Sequence, residues 1–178
     1  MPLQSPTAPS HGDTVVLPTG RPPLLLLRDV APDADGERGR ALLVLASGVL
    51  ILPGQRARVS ARGPDVAFRI DHVAIGGRPA DWLVHDLVIG DRSQFGERRH
   101  PAQIPGEVFS PAAASTAASD LDVALALAGP SADAPFDTAQ PGAHLAVVVS
   151  YVGDDDGAPL VCVLDGTILD DATVEKTT

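Results

Sequence analysis

Two histidines stand next to aspartates, as Asp71-His72 and His85-Asp86, and these pairs are the first place to look for chemistry. An imidazole beside a carboxylate can serve as a general acid–base pair or as part of a metal site. Both pairs fall in apolar runs that predict β-strands, and neighbouring side chains on a strand point to opposite faces. We therefore expect ordinary core or surface histidines, and no acid–base pair or metal site.

Nucleophiles and phosphate-binding groups are equally sparse. The sequence has no Gly-x-Ser-x-Gly turn and no glycine-rich phosphate loop, and its only lysine is Lys176. Its single cysteine, Cys162, lies in the apolar run APLVCVL, where a buried and unreactive thiol is expected. No internal disulfide can form, which fits folding in a reducing compartment such as the cytoplasm. We predict no catalytic residues and no cofactor.

The run Asp154-Asp155-Asp156-Gly157 is the strongest candidate for a cation site. Three successive carboxylates repel one another, and a bound Ca²⁺ would relieve that repulsion. The run lacks the alternating spacing of an EF-hand loop, and turns favour Asp and Gly in any case. A solvated turn is the favoured interpretation, with calcium binding kept as an alternative.

An arginine-rich connection follows the strand predicted at 82–90. Residues 91–106 carry Arg92, Arg98 and Arg99 together with Phe95. Long connections in compact domains are commonly functional or pack on a partner, and arginine beside an aromatic is typical of interface hot spots. We predict a contact loop that meets the acidic half of a neighbouring copy, since residues 100–178 hold one Lys and twelve acidic residues.

Composition narrows the function classes. The net charge of −10 disfavours general nucleic-acid binding, and an aromatic content of 3% leaves little from which to build a stacking platform for sugars or bases. The longest apolar run, 41–52, is too short for a transmembrane helix. The N-terminus lacks the basic and apolar regions of a signal peptide. We expect a soluble protein with no membrane span.

Short apolar runs separated by Gly, Pro and Asp predict an all-β fold. We expect an antiparallel β-sandwich, jelly-roll-like in its connections, with an extended N-terminal arm. Predicted strands cover 41–47, 48–53, 55–62, 65–75, 82–90, 107–110, 120–129, 144–153 and 158–168. The last two are expected to form an antiparallel hairpin around the acidic turn. Only residues 111–121 are plausibly helical.

The chain divides into a Pro-rich arm at 1–40, a β-sandwich at 41–170 and a flexible tail at 171–178. Four consecutive leucines in the arm would be a liability in solvent. We therefore predict that the arm packs on a neighbouring subunit through Leu24, Leu25, Leu26 and Leu27.

Taken together, the Pro-rich arm, the short strands and the long loops resemble the single jelly-roll subunits of self-assembling shells, such as viral coat and minor virion proteins. The resemblance implies a non-enzymatic structural protein that binds copies of itself, and other structural proteins of the same assembly. The alternative is a β-sandwich that binds a glycan or a receptor, with or without calcium. A cupin-like enzyme is the third hypothesis, although the His-x-His motif that cupin metal sites use is absent from the sequence.

Overall fold

The computed structural model describes residues 14–18, 20, 22, 24–26, 37–95, 103–109 and 136–169. Within them the chain forms eleven β-strands and two short 3₁₀ helices. The strands are β1 (Thr14–Pro18), β2 (Leu24–Leu26), β3 (Glu37–Ile51), β4 (Arg56–Arg62), β5 (Ala67–Ile75), β6 (Trp82–Ile89), β7 (Arg92–Ser93), β8 (Ile104–Pro105), β9 (Thr138–Ala139), β10 (His144–Tyr151) and β11 (Ala158–Leu169). The 3₁₀ helices are Pro79–Asp81 and Gly106–Phe109.

The strands form two sheets. Sheet A has the order β1-β4-β10-β6-β7, with β8 also paired to β6, and sheet B has the order β2-β3-β11-β5-β9. Successive strands from β3 to β6 alternate between the sheets, while β10 lies between β4 and β6 and β11 lies between β3 and β5. This is the strand order of a jelly roll, so the predicted all-β sandwich is confirmed. One pair departs from the expected antiparallel pattern, because β1 runs parallel to β4.

The core lies between the sheets, and period-two alternation builds it. In β4 the buried side chains Ala57, Val59 and Ala61 face inward. At one end Trp82 of β6 and Tyr151 of β10 pack edge to face, with ring centroids 5.1 Å apart. Cys162 is fully buried, and its burial was also predicted.

The predicted hairpin at 144–168 is wrong. β10 pairs with β4 and β6 in sheet A, whereas β11 pairs with β3 and β5 in sheet B. The acidic turn therefore carries the chain from one sheet to the other. Gly157 has a φ of +129°, which L side chains rarely adopt, and a Cβ there would lie 2.8 Å from the carbonyl oxygen of Ile51.

The predicted break between strands 41–47 and 48–53 is also wrong. β3 runs through it, and the register against β11 shifts between Pro159 and Val161. Gly48 adopts a φ of +67° at this irregularity. The Ser47 hydroxyl accepts a hydrogen bond from Leu160 N (3.0 Å) and donates one to Val49 O (2.6 Å), so the bulge leaves these backbone groups satisfied.

Three further predictions concern short segments. Residues 106–109 form a 3₁₀ helix, so the strand predicted at 107–110 is wrong. This helix places the Phe109 ring against the ring of Phe95. The strand predicted at 120–129 and the helix predicted at 111–121 lie outside the described residues. Within the predicted arm, β1 and β2 pair with β4 and β3 of the same chain, and β3 begins at Glu37.

Candidate functional site

A buried ion pair lies on the outer face of sheet B. Arg40 of β3 donates from Nε to Asp165 Oδ1 of β11 at 2.8 Å, and its Nη2 contacts Oδ2 of the same carboxylate. The Asp165 side chain is 1% exposed and that of Arg40 is 17% exposed. A buried carboxylate is stable only when it is paired, and this fork-shaped contact satisfies both of its oxygens. The same hydrogen bonds raise the pKa of the Arg40 guanidinium.

A second polar group lies on the same face. Asp71 of β5 accepts hydrogen bonds from Arg69 Nε and from the Thr167 hydroxyl, both at 2.8 Å. Arg69 Nη2 also lies 3.3 Å from the Thr167 oxygen. These contacts join the Arg69 and Asp71 side chains of β5 to each other and to Thr167 of β11. The two polar groups therefore tie the central strand β11 to both of its neighbours.

A β-bulge explains why Asp71 and His72 share this face. The register of β5 against β11 slips there: Asp165 pairs with His72, whereas Gly166 pairs with Ile70. The inward side chains are Ile70 before the slip and Val73 after it, so both residues between them lie off the core. The expectation that these neighbours point to opposite faces is wrong for this reason.

His72 is partly buried beside this ion pair. Its Nε2 is buried and has no hydrogen-bond partner within the described part of the chain. Burial lowers the pKa of His72 from its ordinary value of 6.5; the charge of Asp165 opposes this shift and that of Arg40 adds to it. A neutral ring is the form that this environment favours.

The second histidine pair repeats the arrangement on sheet A. The register between β6 and β10 slips at His85, and the core side chains flanking the slip are Val84 and Leu87. His85 Nε2 lies 2.8 Å from the Ser150 hydroxyl, whereas Asp86 accepts a hydrogen bond from Ser93. His72 and His85 thus lie in different sheets and on outer faces, so they share no site.

Among the described residues that were predicted as interface residues, the leucines lie in sheet B and Arg92 lies in sheet A. Leu24, Leu25 and Leu26 form β2, at the edge of sheet B, and Arg92 is exposed on β7. Leu27, Arg98 and Arg99 lie outside the described residues.

Phe95 faces its own chain. Its ring stacks on Phe109 with centroids 5.8 Å apart and lies 6.4 Å from Phe136. The neighbouring Gln94 holds Asp137 through its side-chain oxygen and nitrogen, at 2.9 and 3.1 Å. The start of the 91–106 connection is therefore anchored on the subunit, and the Phe95 side chain is partly buried.

The acidic turn lies beside an exposed apolar patch. Arg78 contacts Asp155 and lies 2.8 Å from Asp81, which leaves Asp154 and Asp156 at the surface. Next to the turn, Leu50 pairs with Pro159, and Pro53 bridges to Tyr151. Four side chains here, which we call the apolar tip, are between 46% and 58% exposed: Val49, Leu50, Leu52 and Val152.

Sequence reasoning missed the apolar tip and both bulges. The tip residues are as apolar as those of the core, and they fall in the strands predicted at 48–53 and 144–153. The bulges did leave a signal, since two adjacent polar residues interrupt each alternating run and shift its phase: Phe68 and Ile70 before, Val73 and Ile75 after.

Within the described ranges, no group of three or more His, Cys, Asp or Glu is arranged to hold a metal ion. The only helices in those ranges are the two 3₁₀ turns, and neither is a membrane span. No family model, curated protein or solved structure matches this chain.

Proposed function

We propose that this chain is a non-enzymatic structural subunit, a jelly-roll-like β-sandwich that associates with copies of itself. The observation that carries the proposal is the apolar tip. Single exposed apolar side chains are ordinary on protein surfaces, but a contiguous group of them marks an interaction site. Here four such side chains come from two segments, 49–52 and 152, and the bridge between Pro53 and Tyr151 brings these segments side by side.

The polar clusters support a structural role. Arg40–Asp165 links β3 to β11, and Asp71–Thr167 links β5 to β11. His85–Ser150 links β6 to β10. In each case the polar side chains are engaged across strands of the same sheet. Such contacts hold the sheets in register, which is what a rigid building block requires.

The proposal places the contact at the apolar tip and not at the interface residues predicted from the sequence. Phe95 packs on its own chain, and β2 completes sheet B of its own chain. Arg92 keeps an exposed position on the edge of sheet A. The contribution of Arg98 and Arg99 is testable separately, by reversing both charges to Glu.

The test is the mass of the purified protein by size-exclusion chromatography with light scattering. We expect a species heavier than the 18.3 kDa chain, with a mass that rises with concentration. Leu50→Ser with Leu52→Ser should shift the protein toward monomer. Val108→Ser is the matched control, because Val108 is 68% exposed and lies outside the tip. A monomer at the highest attainable concentration, with the fold intact by circular dichroism, contradicts the proposal.

A further inference from the structure

Two arginines of β4 form a basic row on the outer face of sheet A. Arg56 and Arg58 alternate with the core residues Ala57 and Val59, so their side chains leave the sheet on the side away from the core. We call these two residues the arginine row. Arg56 Nε is buried, and no acceptor among the described residues bonds to it. A buried donor without an acceptor is costly, so the Arg56 side chain gains from any rearrangement that gives its guanidinium an acceptor.

The row has apolar neighbours. In the sheet register, Arg58 lies between Val16 of β1 and Val148 of β10. Val16 is 60% exposed, which makes it one of the few large apolar side chains at the surface of the described chain beyond the tip. The next arginine on this face, Arg62, already faces the carboxylate of Asp65 at 3.7 Å. The arginine row is thus a mixed surface of positive charge and exposed hydrocarbon.

The apolar tip has the complementary composition. Its leucines and valines are flanked by Asp154 and Asp156, which are exposed, whereas the third acid of the turn contacts Arg78. Interfaces match apolar area to apolar area and charge to opposite charge. Since the chain carries a net charge of −10, a second copy is itself the acidic partner that the arginine row would attract.

We infer that the apolar tip of one copy docks on the arginine row of a second copy, with Asp154 and Asp156 facing Arg56 and Arg58. The inference rests on the proposed self-association and specifies its contact. Two tip residues, Val49 and Leu50, belong to β3 in sheet B, whereas Leu52 and Val152 follow β3 and β10. The row belongs to β4 in sheet A. The tip and the row are different surfaces, so the contact joins unlike patches. It either occurs twice across a two-fold axis, which gives a dimer, or repeats head to tail, which gives a ring or a filament.

A charge-swap experiment tests this contact. One variant carries Arg56→Glu and Arg58→Glu, and the other carries Asp154→Arg and Asp156→Arg. In either arrangement each variant alone opposes like charges, so we expect its association to weaken about tenfold or more. When the two variants are mixed, every contact again joins opposite charges. The mixture should therefore regain association; because the two variants must alternate, only a ring with an even number of subunits would re-form.

Two controls show whether a loss of association comes from the proposed contact. Arg62→Glu reverses a charge on the same face of the same strand, at a position that already has a carboxylate partner, and it should leave association within about twofold of the original. Thermal melts confirm that each variant is folded.

The possible outcomes distinguish the docking contact from the self-association on which it rests. If the original protein self-associates and the two charge variants associate equally well, the docking contact is wrong and self-association stands. Loss of association in both variants without recovery on mixing also contradicts the contact. A monomeric original protein overturns both.

Discussion

The Arg40–Asp165 pair should be the most sensitive polar contact in the described part of the sandwich. Arg40→Met keeps a long apolar stem but removes the guanidinium. The Asp165 carboxylate, whose side chain is 1% exposed, then has no bidentate partner. Stranding a buried charge in this way costs about 3–5 kcal/mol. A domain of ordinary stability holds only about 5–15 kcal/mol, so the loss is a large fraction of the total.

The assay is urea unfolding followed by tryptophan fluorescence, since Trp82 is buried in the core. With a denaturant slope of about 2 kcal/mol per molar urea, the expected loss lowers the midpoint by roughly 1.5–2.5 M. Arg62→Met is the matched control, because Arg62 also faces an aspartate, Asp65, but the side chains of that pair are 67% and 62% exposed. We expect no measurable shift for this control, since solvent screens an exposed pair.

A double variant makes the reasoning sharper. Replacing a buried ion pair by apolar side chains is often neutral or stabilising, because neither charge then needs to be desolvated. Arg40→Met with Asp165→Val should therefore recover more than half of the midpoint lost by Arg40→Met alone. A midpoint shift below about 0.5 M for Arg40→Met, or an equal shift for Arg62→Met, would refute the assignment of this pair as a buried stabilising contact.

Three further predictions follow from buried groups. Because burial lowers the pKa of His72 below 6.5, the unfolded chain binds a proton more readily than the folded chain, and stability should fall as the pH drops below 6.5. His72→Gln should flatten that part of the plot of urea midpoint against pH. An unchanged plot would contradict this role of His72. Burial raises the pKa of the Cys162 thiol to about 12, so Ellman's reagent should label it only on unfolding, and rapid native labelling would contradict this burial. Gly166→Ala should destabilise the fold by about 1–3 kcal/mol or more, because a Cβ there overlaps the Arg69 carbonyl oxygen; a thermal melt equal to that of the original protein would show that the strands can move apart.

The class of fold was predictable because burial of one face imposes a period of two. β4, β5, β6, β10 and β11 all lie within two residues of their predicted bounds at each end. Their alternation depends only on which residues face the core, and any sandwich shows it. The strand order followed no such local rule, and the confirmed jelly-roll-like connections came from a preference within the class.

The wrong hairpin prediction shows that the local sequence pattern does not determine which strands pair. The turn Asp154–Gly157 has the same composition whether its two strands pair with each other or enter opposite sheets. The choice is made by distant partners: β10 fits between β4 and β6, and β11 between β3 and β5. These pairings join residues up to about 130 positions apart in the chain, as Leu169↔Glu37 does, and no short-range signal reports them.

The candidate site was the least predictable part. The Arg40–Asp165 pair joins residues 125 positions apart, and Arg40 was assigned to the end of the arm. Phe95 was recognised as an anchor, but its partners Phe109 and Phe136 lie on the same chain. The apolar tip could not be told from a core strand, because exposure depends on whether another sheet covers it.

Sedimentation velocity of the unmodified protein, from micromolar to near-millimolar concentration, tests the central claim most directly. If the chain is a self-associating structural subunit, the sedimentation coefficient should rise with concentration toward that of a multimer of the 18.3 kDa chain. A single boundary with the mass of one chain at every concentration would contradict it.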